Sequence, residues 1–360
     1  MAEALDEGHI SGDGAFTKKC QAVLRDALGA AGVLLTTSCT HALEMAALLL
    51  DLEPGDEVVV PSFTFVSTAN AFALFGARPV FVDVRADTLN LDERLLEKAI
   101  GPRTRAVVPV HYAGVGCEMD AILDVARRRG LSVVEDNAHG LFGAYRGRPL
   151  GSFGRLATLS FHETKNFSCG EGGALVVNDP ALLPRAEILR EKGTDRSRFF
   201  RGEVDKYTWV DLGSSYLPSD LLAAYLLAQL EAKERVIAAR RRVFEFYAGA
   251  LGAWAAEHGV RLPVVPAECG QSFHMFHVLL PSLRVREALV AHLRAAGILA
   301  VFHYQPLHIS PMGRKFGGRP GDCPVTEDVS DRLLRLPFYN DLSDADLDRV
   351  VSTLLAFDGW

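Results

Sequence analysis

Between residues 33 and 179, short apolar, β-branched runs alternate with longer amphipathic stretches. The runs fall at 33–36, 57–61, 80–84, 106–110, 132–135, 156–161 and 174–177. Runs of this length, bounded by polar or turn-forming residues, predict buried strands. The stretches between them, such as 40–52, 92–100, 119–129 and 184–192, carry apolar residues at helical spacing. Strands alternating with helices predict an α/β domain on a mostly parallel sheet, covered by helices.

After a polar, aromatic and basic stretch at 192–209, Pro218 is placed to open a long helix running through Arg242, because proline suits a first helical turn. The pattern then changes. A strand-like 276–280, a helix-like 285–296, a strand-like 298–303 and an amphipathic helix around 344–355 predict a smaller α+β unit. The expected division is a large α/β domain over 1–240 and a small C-terminal α+β domain over 241–360. The segment GRKFGGRPGD at 313–322 is expected to be a mobile loop.

Composition narrows the function classes. With 360 residues, 49% hydrophobic and 23% charged, the chain reads as a folded, water-soluble protein of about two domains. A net charge of -7 without a long basic run argues against nucleic-acid or anionic-membrane partners, although local basic clusters can hold a small anionic ligand. Cys20, Cys39, Cys117, Cys169, Cys269 and Cys323 are scattered, with no Cys-x-x-Cys pair, which suggests reduced thiols in a cytoplasm. The opening MAEALDEGHISGDG lacks a signal pattern, and no apolar run reaches the roughly 20 residues of a membrane span.

In open α/β sheets ligands sit beyond the carboxyl ends of the strands. After the first run comes Thr37-Ser38-Cys39-Thr40-His41, either a phosphate site at a helix N-terminus or an ordinary Ser/Thr cap. Glu135 and Asp136 end an apolar run, where a buried carboxylate requires a cationic partner. Lys165, following another run, is either a nucleophile of lowered pKa or a surface lysine. Gly170-Glu171-Gly172-Gly173 is too short and misplaced for a dinucleotide or nucleotide-triphosphate fingerprint, which weakens nicotinamide and ATP readings. His303 and His308 have the spacing of a helical metal pair, but Pro306 between them argues against a helix, and no metal site is expected. His274 and His277 read as structural.

Taken in order, these segments resemble the sugar aminotransferase family named after its DegT, DnrJ, EryC and StrS members, with the type I fold of pyridoxal-5′-phosphate (PLP) enzymes. The resemblance runs from Ser11-Gly12-Asp13-Gly14 to the last helix. Its most specific stretches are SFHETKNFSCGEGG at 160–173, REKGTDRSRFFRGEVDKYTW at 190–209 and DLGSSYLPSD at 211–220. Together they are similar to the subgroup that aminates dTDP-4-keto-6-deoxyglucose, the dTDP-4-amino-4,6-dideoxygalactose transaminases.

The resemblance implies a set of roles. Lys165 matches the Schiff-base lysine, nucleophile first and general acid/base afterwards. Asp136 matches the carboxylate that keeps the pyridine nitrogen protonated, and His139 the position near the phenolic oxygen. Ser160 and the backbone of Cys39 and Thr40 match the phosphate cradle; Phe65 matches the aromatic residue that stacks on the ring. His303, Tyr304 and His308 match a motif bordering the sugar pocket. Arg201, in the basic group with Arg196, Arg198 and Lys206, is expected to reach the substrate diphosphate or a dimer neighbour. L-glutamate is the implied amino donor, the nucleotide sugar the acceptor, and a homodimer with shared sites the implied assembly.

Two positions depart from the family pattern. Many members have Asn in a Gly-Tyr-Asn-Tyr-Arg-like motif that reaches the neighbouring subunit's phosphate, and Ser215 stands there in Gly213-Ser214-Ser215-Tyr216-Leu217. The chain also begins shorter than typical relatives. Other readings are an aminotransferase acting at another sugar carbon and a sugar-nucleotide-binding regulatory protein. Family dehydratases replace the lysine by histidine, so Lys165 speaks against that chemistry.

Overall fold

The computed structural model describes residues 1–6 and 8–360. The seven apolar runs form one sheet: β1 (Gly32–Thr36), β2 (Glu57–Pro61), β3 (Arg78–Val82), β4 (Thr104–Val107), β5 (Ser132–Asp136), β6 (Leu156–Ser160) and β7 (Gly173–Val177). Their order in space is β1-β7-β6-β5-β4-β2-β3. β7 is antiparallel to both β1 and β6, and the other pairings are parallel. Every strand except β7 therefore ends at one common edge, where β7 begins.

The main helices of this region are α1 (Ala15–Leu28), α2 (Cys39–Leu49), α3 (Ser67–Ala73), α4 (Met119–Arg129) and α5 (Leu183–Arg190). Successive strand residues point to opposite faces, so both faces are apolar. Leu34, Val58, Val60, Val134, Leu156 and Leu175 pack with α2 and α3. On the other face Val33, Leu35, Ala157, Leu159 and Val176 join α1, while Val59, Val107 and Val133 join α4.

The long helix expected from Pro218 is two helices, α6 (Asp220–Glu231) and α7 (Lys233–Glu257), broken at Ala232. Pro218 lies ahead of the helix, and the Ser219 hydroxyl caps it by accepting from Leu222 N at 3.4 Å. Hydrophobic packing changes along α7. Val236 belongs to the cluster of α1 and α6, whereas Val243 and Tyr247 join a separate C-terminal core.

That core gathers β8 (His277–Leu279), α8 (Leu283–Ala295), β9 (Leu333–Arg335) and α10 (Asp344–Leu355), with β8 and β9 antiparallel, while Val329 of α9 (Pro324–Arg332) packs in a cluster with Phe63, Val84, Leu89 and Tyr112. The strand expected at 298–303 reduces to one bridge between Val301 and Arg335. The expected mobile loop starts inside a short helix, Pro311–Lys315, capped by Ser310. It is then held by Gly318 N donating to Gly313 O at 3.0 Å and Arg319 N to the Asp322 carboxylate at 2.8 Å. No described helix is long and apolar enough to cross a membrane.

Candidate active site

At the common edge β1, β7 and β6 lie side by side, with Gly173 aligned against both Thr36 and Ser160. A Cβ on Gly173 would collide with the backbone of Ser38 and Cys39, so only glycine lets β7 start this close to the N-terminus of α2. The Ser38 hydroxyl accepts from His41 N at 3.1 Å, and the Thr40 hydroxyl meets that of Ser67 at 2.8 Å. The cap and the phosphate cradle are thus not alternatives. Ser38 caps the helix, which leaves the first N–H groups of α2, at Cys39 and Thr40, and the half-buried Ser160 side chain around one concave corner.

The paired carboxylates at the end of β5 divide their work. Glu135 is fully buried and accepts from Gly151 N (2.8 Å), Phe153 N (2.6 Å) and Gly154 N (2.7 Å), with His111 Nε2 at 2.9 Å. Each such N–H, if left unpaired, would cost about 1–3 kcal/mol, so Glu135 is a structural knot that fixes the strand end. Asp136 accepts from the Thr68 hydroxyl at 2.7 Å and from Ala138 N at 3.2 Å. Thr64 in turn meets Thr68 at 2.8 Å. Asp136 is thereby aimed but lacks a cationic partner among these contacts, and a protonated ring nitrogen would supply one.

Lys165 follows β6 in a turn in which its N–H donates to His162 O at 2.9 Å. Burial lowers its pKa, the Arg335 charge adds to that, and Cys39 and Asp136 oppose it. The two opposing groups belong to the α2 N-terminus and to the end of β5, which share the sheet edge that Lys165 follows. His139 is buried and stacks on His274 with ring centroids 4.1 Å apart. Burial, and then the neighbouring Lys165, hold its pKa well below the usual imidazole range. Its Nδ1 is buried with no hydrogen-bond partner among the described residues.

Three residues of this site are not legible in sequence. Asn166 donates its amide N–H to Ser272 O at 2.7 Å, which leaves its Oδ1 to accept from His274 Nδ1 at 2.9 Å. The residue beside Lys165 is thus clamped by the segment entering the C-terminal unit. Tyr112 places its hydroxyl 3.0 Å from His303 Nδ1, and its ring packs against those of Phe63 and Tyr304. His274, expected to be structural, reaches the site through its stack on His139.

The other candidates separate. Phe65 is 57% exposed, with its ring 6.4 Å from that of Tyr304, and so forms an aromatic rim. His303 and Tyr304 stack on each other and border the Lys165 region; burial pushes the His303 pKa down to about 2. His308 is held differently from its two neighbours. It is fully buried, its Nδ1 is 2.6 Å from the Ser62 hydroxyl and its Nε2 is 3.0 Å from Glu327, so both ring nitrogens are engaged in tying the C-terminal unit to the end of β2.

Arg201 is exposed and pairs with Glu187 at 2.9 Å and Glu203 at 2.6 Å within the same chain. Arg196 instead lies over Phe200, 5.1 Å from the ring centroid. Ser215 is exposed, and the next residue, Tyr216, accepts at its carbonyl from Thr37 N at 2.9 Å. The segment therefore lies against the exit of its own β1.

These groups fit PLP on structural grounds: an aimed carboxylate without a cation, a helix N-terminus kept open by Gly173, a lysine of lowered pKa and an unpartnered His139 nitrogen. Comparison with known proteins agrees. A model of the DegT/DnrJ/EryC1/StrS aminotransferase family matches residues 1–355. GDP-perosamine synthase from Caulobacter vibrioides is 36% identical over 356 residues, covering 98% of this chain and 93% of that protein. The aminotransferase TlmJ from Streptoalloteichus hindustanus is 33% identical with a TM-score of 0.89, covering 98% and 93% of the two chains. A family aminotransferase from Brucella abortus is 32% identical with a TM-score of 0.90, covering 100% and 94%. The chain belongs to the DegT/DnrJ/EryC1/StrS aminotransferase family and is a PLP-dependent sugar aminotransferase.

Proposed function

We propose that the enzyme moves the amino group of L-glutamate to the 4-keto carbon of dTDP-4-keto-6-deoxyglucose, releasing 2-oxoglutarate and a dTDP-4-amino-4,6-dideoxy sugar. The observation that carries the transamination is the convergence of Lys165, Asp136 and the α2 N-terminus at one sheet edge. The choice of sugar nucleotide rests on the similarity of segments 160–173, 190–209 and 211–220 to that subgroup.

Bound PLP supplies an electron sink for the carbon that exchanges its amine. Asp136, oriented by Thr68 and Ala138 N, would hold the ring nitrogen protonated. The α2 N-terminus and Ser160 would hold the phosphate. Lys165, more easily deprotonated than an exposed lysine, offers a neutral amine that can take a proton from the substrate carbon and return it. Phe65 would cover one ring face, and His139, kept neutral by burial, would sit near the phenolic oxygen.

A GDP-linked keto-sugar is the second reading, favoured by the 36% identity to a GDP-perosamine synthase. Incubation with PLP, L-glutamate and either nucleotide sugar, followed by NMR of the product, decides between them. Turnover of the dTDP sugar is expected, with kcat/KM at least tenfold above that for the GDP sugar. The reverse ratio would assign the GDP substrate, and turnover of neither would refute both.

The working unit we propose is a cytoplasmic homodimer in which the Ser215 segment completes the neighbour's phosphate site. Trp209 (75%), Phe200 (69%) and Leu212 (63%) are exposed close to this segment, an apolar surface of the kind that a protein partner covers. Mixing a Lys165→Ala variant with one carrying a bulky residue at Ser215, after reversible dissociation, should restore activity that both parents lack. Confirmed subunit exchange without recovery, or an active monomer in sedimentation, would place the whole cradle within one chain.

A further inference from the structure

We infer that Arg240 is a positioning residue for the reaction: through the segment 272–274 it holds Asn166, and with it the adjacent Lys165, in a fixed place relative to Asp136 and His139. The inference rests on the reading of Lys165 as the lysine that carries the cofactor. Arg240 lies on α7 and is 4% exposed. Its Nε donates to Phe273 O at 2.8 Å, its Nη2 to His274 O at 2.6 Å and its Nη1 to Asn340 Oδ1 at 3.0 Å, and the guanidinium lies 4.9 Å from the Phe338 ring centroid. All three nitrogens thus meet neutral acceptors. A desolvated cation without a carboxylate is a costly way to fill space. What it adds over an apolar side chain is the fixed direction of two consecutive carbonyls.

Those carbonyls belong to a short segment that touches three loops of the site. Phe273 takes a left-handed φ of 55°, a conformation that a bulky residue keeps only where its surroundings enforce it. On the side of the sheet, Ser272 N donates to Gly114 O at 3.1 Å and the Ser272 hydroxyl donates to His139 O. Gly114 permits this approach, since a Cβ there would run into the Ser272 hydroxyl and His139 O. Ser272 O accepts from the Asn166 amide at 2.7 Å, and His274 Nδ1 donates to Asn166 Oδ1 at 2.9 Å. Both ends of the Asn166 amide are therefore spent on this segment. Gly114, His139 and Asn166 follow β4, β5 and β6 in turn, so one short stretch of backbone sets the spacing of the three loops.

A lysine that must reach both a cofactor and a substrate carbon tolerates little error in its place. A displacement of about 1 Å, caused by a change far from the chemistry, can cost about 10²-fold in rate. Without the Arg240 grip, Phe273 is free to leave its left-handed conformation, and Ser272 and His274 no longer present their two groups to Asn166 together. The loss falls on the chemical step, because the acceptors of Arg240 are protein groups.

The test compares wild-type holoenzyme with Arg240→Met, Arg240→Lys and Asn166→Ala, each scaled to its content of bound PLP. In single turnover with L-glutamate, the donor proposed above, Arg240→Met should lower the limiting rate about 10²-fold and change the half-saturating concentration less than about twofold. Arg240→Lys, which keeps the charge and loses the fork, should fall between. The visible circular dichroism of bound PLP, which reports how the ring sits in the site, should change in Arg240→Met and Asn166→Ala alike. Combining these two substitutions should cost little more than Asn166→Ala alone, because residues that act through one shared contact are not additive. A wild-type rate and dichroism in Arg240→Met, with only the melting temperature lowered, would overturn the proposal, and so would fully additive losses in the double variant. If Arg240→Met does not fold, Arg240→Lys decides by the same measurements. Failure of the reading beneath it would show separately, in the wild type, as borohydride labelling of a lysine other than Lys165 or as no reaction with L-glutamate.

Discussion

Lys165→Ala is expected to abolish turnover while leaving the fold intact. The side chain is half-buried and contributes no ion pair among the described residues, so its removal relieves a desolvated amine and opens no core cavity. The chemical loss is large because the same nitrogen attaches the cofactor and relays the proton. General acid–base catalysis alone contributes about 10²–10⁴-fold, and loss of the covalent step adds to it. The variant should retain PLP noncovalently through the α2 N-terminus and Asp136, with an unchanged far-ultraviolet circular dichroism spectrum. Borohydride reduction of the PLP-loaded wild type, followed by peptide mapping, should label Lys165. A label on another lysine would refute the assignment.

Asp136→Asn should keep the cofactor bound and slow both half-reactions, each by about 10²–10³-fold, the size expected for removing a preorganised charge partner. Thr68 and Ala138 N donate to different oxygens of Asp136, so the single amide oxygen keeps one of these two contacts. It cannot stabilise a protonated ring nitrogen as a carboxylate does. Single-turnover measurements with L-glutamate and separately with the keto-sugar should show comparable losses. Near-wild-type rates in either direction would mean that Asp136 only shapes the pocket.

What the sequence discloses here follows from how local each feature is. Asp136 stands out because it ends an apolar strand run, whereas Lys165, five residues past the end of β6, is singled out by the family-like motif around it, and both signals are carried by adjacent residues. The Glu135-Asp136 pair looked like one problem, a buried negative charge, and the fold solves it twice, with backbone N–H groups and His111 for one and an open ligand face for the other. Asn166, His274 and Tyr112 come together across more than a hundred residues of chain, so no spacing rule could have assembled them. Arg201 shows the reach of a purely local pattern. The basic cluster that suggested an anion site also holds Glu203, two positions away, which pairs with Arg201 inside the chain. The break at Ala232 was invisible because Glu231-Ala232-Lys233 contains only good helix formers, and tertiary packing overrides their propensity.

The reversed direction of β7 has a mechanical meaning for the enzyme. A crossover strand would carry the chain away over a helix before returning it to the same edge, but the loop bearing Lys165 leaves β6 and re-enters β7 as a closed hairpin. Its two legs are bonded along their length, from Leu156 opposite Val177 to Ser160 opposite Gly173. Asp136, by contrast, is braced through α3 by Thr68 and through the neighbouring Glu135 knot. The nucleophile and its electrostatic partner are nonetheless carried on adjacent strands, with Asp136 in register with Thr158 of β6, so the hairpin that bears the lysine is locked on its open side against the strand that ends in the carboxylate.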